Sequence, residues 1–269
     1  MRSTDFQTST EPAPQSGSGI ILRATGLRRD YDGVRAVDGV DLAIGRGRLT
    51  GLIGPNGAGK STTLGILAGT IEPTAGIISY AGRDVTKLGT HGRARAGLLR
   101  TFQQASEFKR LTVLENLLSS VPGNPGDSLF GALRGPRHWR QFENEALDTA
   151  TALLQRFRLE PQANDYAGNL SGGQRRLVEI MRALMARPQV LLLDEPMAGV
   201  HPKLAREIGE HLIALRDDGM TILMVEHELS IVDQLCDPVI VMADGRVLAE
   251  RSMFELRQNT AVVEAYLAG

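Results

Sequence analysis

Gly54-Pro55-Asn56-Gly57-Ala58-Gly59-Lys60-Ser61 sets three glycines, a lysine and a hydroxyl between an apolar run and a helical pattern. Glycines let the backbone curl so that successive N–H groups point inward, and a helix N-terminus adds partial positive charge; together they suit a phosphate. Lys60 is placed to hold β- and γ-phosphates, and Ser61 to ligate Mg²⁺. Gly54, Pro55, Asn56, Gly57, Ala58, Gly59 and Thr62 complete this set of candidate nucleotide ligands. Two acids, Asp194 and Glu195, close the apolar run Val190 to Leu193. Asp194 can hold Mg²⁺ through water, and Glu195 can polarise an attacking water. His227 follows the apolar run Thr221 to Val225, where a neutral imidazole can hydrogen-bond a γ-phosphate or that water. Taken singly, two acids after a strand are commonly just solvated, and a histidine after a strand is commonly structural. Beside the glycine loop they make a catalytic set.

Leu170-Ser171-Gly172-Gly173-Gln174 predicts a second anion site. Ser171 is a helix cap, and the helix that follows carries Leu177, Ile180, Met181, Leu184 and Met185 on one face. Bare amides at Gly172, Gly173 and Gln174, the Ser171 hydroxyl and the helix dipole all favour an anion. This sequence lies far along the chain from Lys60, so one chain carries two half-sites. Two further residues have weaker claims. Gln103, in Arg100-Thr101-Phe102-Gln103-Gln104, sits where the sheet pattern hands over to a helical one, and its amide could sense Mg²⁺ and water. Tyr31 could stack on a base, a contact worth roughly 1–3 kcal/mol on nucleic-acid platforms, or simply pack in a strand.

The elements that position these residues read as α/β. Leu49 to Ile53, Val190 to Leu193, Thr221 to Val225 and Val239 to Met242 are short buried strands, the last in a hairpin with Arg246 to Leu248. Helices between them predict a mostly parallel sheet with ligands at its carboxyl edge. Ile20 to Ala24, Val37 to Ile44 and Gly76 to Arg83 predict a flanking antiparallel subdomain. From Leu88 to Ala167 helical patterns dominate, the clearest helix bearing Ala146, Leu147, Ala150, Leu153, Leu154 and Phe157. Pro202 to Arg216 is a further helix with Leu204, Ile208, Leu212 and Leu215 inward, stopped at Gly219. The expected organisation is a disordered tail over 1–19 and one domain over 20–269, with a helical subdomain at about 88–170 inserted in it.

Composition narrows the class. The 269 residues are 42% hydrophobic and 23% charged with a net charge of −1, an ordinary globular balance with no general attraction to nucleic acid. A lone cysteine, Cys236, cannot form an internal disulfide and sits in an apolar setting. No apolar run approaches the ~18–20 residues needed to span a bilayer. Any membrane role must therefore come through a partner, and the cytosol fits the composition. The basic insert Arg134-Gly135-Pro136-Arg137-His138-Trp139-Arg140 reads as a solvated helix start, or as a segment near lipid headgroups or a membrane subunit.

The loop Gly54 to Ser61, Gln103, Leu170-Ser171-Gly172-Gly173-Gln174, Asp194-Glu195 and His227, in this order, resemble the nucleotide-binding subunit of ATP-binding cassette (ABC) transporters. The resemblance implies a P-loop fold with a β-subdomain and a helical signature subdomain, ATP and Mg²⁺ as ligands, and two subunits sandwiching two ATP molecules head to tail. Ser171 and Gly173 would then contact the γ-phosphate held by Lys60 of a partner subunit. Leu111-Thr112-Val113-Leu114-Glu115-Asn116, Glu226-His227-Glu228 and Glu264-Ala265-Tyr266-Leu267-Ala268-Gly269 look like the branched-chain amino acid importers and the related urea type. That subfamily implies a second cassette, separate permease subunits, an extracytoplasmic solute receptor and a place at the cytoplasmic face of the membrane, with no nucleic acid. One departure stands out: His201 occupies a position where most of the family has aspartate. An exporter ATPase such as the lipopolysaccharide-extracting type would show much the same nucleotide site. A soluble cassette acting on nucleic acid or the ribosome would usually add paired cassettes, long heptads or a basic excess, which this chain lacks. A regulator without turnover would not need Glu195 and His227.

Overall fold

The computed structural model describes residues 19–101, 109–123 and 136–267; the side chains of 136–139 and 267 fall outside that description. In chain order the strands are β1 (Ile20–Tyr31), β2 (Val34–Gly45), β3 (Leu49–Ile53), β4 (Ala75–Tyr80), β5 (Arg83–Asp84), β6 (Leu98–Arg100), β7 (Val190–Asp194), β8 (Thr221–Val225), β9 (Val239–Ala243) and β10 (Arg246–Arg251). The helices are α1 (Lys60–Ala68), α2 (Thr90–Arg95), α3 (Val113–Leu118), α4 (Pro136–Arg156), α5 (Gly172–Leu184), α6 (Pro202–Asp217), α7 (Leu229–Leu235), α8 (Met253–Leu256) and α9 (Thr260–Leu267).

Six strands form the central sheet in the order β10-β9-β3-β8-β7-β6, parallel throughout except for the β9–β10 hairpin. The runs β3, β7, β8 and β9 are apolar at nearly every position because both of their faces are covered. Leu191, Leu193, Ile222, Met224, Val239 and Val241 join a core shared with α3 to α7. The intervening Val190, Leu192, Leu223, Val225, Ile240 and Met242 join a second core with α1 and strands β1, β2 and β4. That second layer is the flanking antiparallel sheet, of order β2-β1-β4-β5. Its first two strands pair from Ile20↔Gly45 to Tyr31↔Val34, longer than the expected segments Ile20 to Ala24 and Val37 to Ile44.

Two expectations need correction. The stretch from Leu88 is not helical throughout, because Leu98–Arg100 is β6, the edge strand paired in register with Val190, Leu191 and Leu192. Three residues cannot show a period, so only pairing with β7 makes them a strand. On α4 the inward stripe is Ala146, Ala150 and Leu154, continued by Phe157, whereas Leu147 lies beside the stripe and is exposed. The insert from 124 to 135 and the tail from 1 to 18 lie outside the described residues.

Candidate functional site

Register brings the chemistry together. Leu52 of β3 pairs with Val225 of β8, and Val225 pairs with Asp194 of β7. The three segments that leave these strands, Gly54 onward, Glu195 onward and Glu226-His227, therefore emerge side by side at the carboxyl edge of the sheet, the ligand-binding edge of open α/β sheets.

The loop from Gly54 to Gly59 is held by close backbone approach. Gly54 has φ 151° and a Cβ there would lie 2.0 Å from the Met242 carbonyl oxygen; Gly59 has φ 91° and a Cβ would lie 2.3 Å from that of Ala36. Only glycine fits both the angle and the space. Gly59 caps α1 without any side-chain hydrogen bond, and the first turn holds no acid, so its amides are left for an anion. Lys60 is 5% exposed and its Nζ donates to the Gly54 and Pro55 carbonyls at 2.8 Å each. Burial lowers its pKa, opposed by the charges of Glu195 and Asp194. The ammonium thus lies within the field of both acids. Ser61 is exposed, Thr62 half-buried, and Thr63 buried with its hydroxyl oxygen unpartnered.

Asp194 is 2% exposed. Its Oδ2 accepts from Arg100 Nη2 at 2.6 Å, while its Oδ1 is buried with no hydrogen-bond partner. A buried, unsatisfied carboxylate oxygen is costly unless a cation or an ordered water meets it, so the residues fit Mg²⁺, with Asp194 acting through water and Ser61 through its hydroxyl. Among the described residues no group of three His, Cys, Asp or Glu could hold a metal alone, which leaves phosphate oxygens as further ligands.

Glu195 Oε1 lies 2.6 Å from His227 Nε2. A carboxylate accepts, so this contact assigns the ring proton to Nε2. Glu195 sits at φ 47°, its amide donating to the Val225 carbonyl at 2.9 Å. Four residues to which the sequence reading gave no role in the site surround this cluster. Arg100 pairs with Asp194. Arg176 of α5 donates from Nη2 to the Asp194 carbonyl at 2.9 Å and the Glu195 carbonyl at 2.6 Å, and from Nε to the Pro196 carbonyl at 3.0 Å. Glu226, 4% exposed, accepts from the Met197 amide at 2.9 Å and the His227 amide at 3.2 Å. The Tyr266 phenol of α9 stands near the Gly54 backbone, and burial pushes its pKa up to about 12. The sequence signal for Arg176 and Glu226 was a charge close to a motif, which reads as a solvated surface; for Tyr266 it was an aromatic in an apolar helix.

Ser171 caps α5 as expected, but the amides there are not all bare. Its hydroxyl accepts from the Gln174 amide at 3.3 Å, and Gln174 Oε1 accepts from the Ser171 amide at 3.0 Å, a reciprocal capping box. The hydroxyl hydrogen and the exposed Gly172 remain to meet an anion. Gly173 is buried, and a Cβ on it would lie 1.9 Å from Leu204 Cδ2. His201 is the N-cap of α6, its Nδ1 accepting from the Lys203 amide at 3.3 Å. Tyr31 ends β1 half exposed, with the Arg29 guanidinium 4.5 Å above its ring, so a cation already covers an aromatic face offered to a base. Gln103 lies outside the described residues. Cys236 is buried, which pushes its thiol pKa up.

A family model described as ABC transporter matches residues 37–198. Over 247 residues, 92% of this chain and 95% of the relative, the sequence is 37% identical to the probable branched-chain amino acid transport ATP-binding protein LivG of Archaeoglobus fulgidus. Among solved structures, a nucleotide-free ATP-binding cassette from an ABC transporter superposes with a TM-score of 0.80 at 37% identity, covering 92% of this chain and 98% of that one. A dimeric cassette in a post-hydrolysis state bound to ADP and Pi superposes with a TM-score of 0.71 at 27% identity, covering 87% and 99%. With the glycine loop, the capped signature helix and the Glu195–His227 pair assembled on this sheet, the chain belongs to the ABC transporter family as an ATP-binding cassette.

Proposed function

We propose that this cassette hydrolyses ATP to ADP and phosphate and so powers a membrane importer of branched-chain amino acids or a related small polar solute such as urea. The 2.6 Å contact between Glu195 and His227 beside the Lys60 loop carries the reading. Lys60 and the α1 amides grip the triphosphate. Glu195 takes the proton of the attacking water, and His227, donating from Nε2, holds the Glu195 carboxylate in place. Asp194 and Ser61 would hold Mg²⁺, with Gln103 as a further ligand; when bound, the ion neutralises charge developing on the β- and γ-oxygens. Ser171, Gly172, Gly173 and Gln174 would close over the nucleotide of a second cassette, and the dimeric structure of a similar cassette supports that pairing.

Permease subunits and, indirectly, an extracytoplasmic solute-binding protein complete the proposed machine. No helix among the described residues is long and apolar enough to cross a membrane, so the proposed place at the cytoplasmic face is peripheral. The LivG relative supports the solute class. Glu195→Gln is expected to cut turnover by about 10²–10⁴-fold with ATP binding retained. Near-normal hydrolysis in that variant would remove Glu195 from the role. Lys60→Ala should weaken ATP binding by at least about tenfold, as lost charge-assisted hydrogen bonds do. Reconstitution with the permease should couple hydrolysis to solute uptake, and coupling to lipid extraction instead would overturn the substrate class.

A further inference from the structure

Glu195 holds a left-handed backbone conformation at φ 47°. A non-glycine residue keeps that conformation only when its surroundings over-determine it. Two ionisable side chains from elsewhere in the chain supply the constraint, and both act on backbone rather than on side chains. The Arg176 guanidinium takes three successive carbonyls, those of Asp194, Glu195 and Pro196, at 2.6–3.0 Å. From another element, Glu226 takes the amides of Met197 and His227, one on each carboxylate oxygen. Glu226 therefore ties the segment carrying Glu195 to the one carrying His227. Arg176 has its own counter-charge, Glu179 Oε2 at 2.5 Å, and both side chains of that pair are largely buried. Its fork is thus held in place independently of the Glu195 carboxylate.

We propose that Arg176 and Glu226 are positioning residues for hydrolysis, a two-sided backbone clamp that keeps Glu195 and His227 in contact and links them to the signature helix. The proposal rests on the reading of Glu195 as the carboxylate that activates water. Arg176 follows Gln174 on the helix capped by Ser171. A shift of that helix end moves the guanidinium, and with it the carbonyls flanking Glu195. Hydrolysis would then be fastest only when Ser171 is seated on its nucleotide, a coupling that needs no contact between Arg176 and ATP.

The test uses the full chain with Arg176→Met, Arg176→Lys and Glu226→Gln, each alone and combined with Glu195→Gln. The readouts are kcat, the Kd of a non-hydrolysable ATP analogue, and amide hydrogen exchange at Met197 and His227. Arg176→Met and Glu226→Gln are expected to lower kcat by about tenfold or more, leave the analogue Kd within about threefold, and speed exchange at both amides. Arg176→Lys should recover part of the rate, since an ammonium reaches the carbonyls without the planar fork. Added to Glu195→Gln, either change should cost little more, because residues that act as a unit are not additive. Wild-type kcat in both variants, losses that multiply with that of Glu195→Gln, or equal falls in kcat and analogue affinity without rescue by lysine would overturn the clamp. If Glu195→Gln itself turned over normally, the base assignment would fail by its own result; unchanged exchange at Met197 and His227 would then still overturn the clamp.

Discussion

Glu226 is a carboxylate taken out of water, and its pKa is raised above 4.5 chiefly by burial, with Glu195 adding to the rise. Hydrogen bonds from the Met197 and His227 amides and the charge of His227 pull the other way and lose. The folded chain therefore holds this proton to a higher pH than the unfolded chain does. That contribution to stability is fully present below the unfolded value and disappears as pH rises through the folded one. Glu226→Gln has no such titration, so its thermal midpoint should gain on that of the wild type as pH rises above 4.5. Parallel profiles would show that burial does not govern Glu226. Cys236 offers a second check at this scale, because a buried thiol with a raised pKa presents little thiolate. Alkylation should be slow in the native chain and rapid after denaturation; fast native labelling would place the sulfur at the surface.

Gly173 shows what the signature helix owes to its neighbour. A methyl group at this position would come within 1.9 Å of Leu204 Cδ2, so the start of α5 can lie against α6 only without a side chain. Gly173→Ala should cost about 1–3 kcal/mol by overpacking, and Leu204→Ala in the same chain should return part of it. Denaturant midpoints check both, and simple additivity of the two losses would contradict direct contact. The sequence made much of this level legible. The apolar runs of β3, β7, β8 and β9, the spacing along α4 and α6, and the glycine loop all carry local signals. What stayed hidden depends on distant partners. β6 is a strand only through β7, and Arg176 looks like a solvated charge until Pro196 comes alongside. Periodicity reports which face a residue occupies, and hydrogen bonds across long separations leave no period behind.

At the scale of the molecule, the proposed pairing sets the loop after β3, with its uncapped amides, against the serine-capped start of α5 in a second cassette. On the proposal that two copies of this chain pair, hydrolysis is second order at low protein concentration. Turnover per chain should rise with concentration and then level off, and Glu195→Gln with Mg²⁺ and ATP should elute as a dimer on size exclusion. A concentration-independent rate from a monomer would show that one copy suffices. The seat of Gly54 against the Met242 carbonyl of β9 has a bearing on biosynthesis. A growing polypeptide emerges N-terminus first, so the glycine loop leaves the ribosome long before the strand that backs it. Until β9 arrives, the loop lacks one of its supports, and nascent cassettes should grip nucleotide less firmly than finished ones.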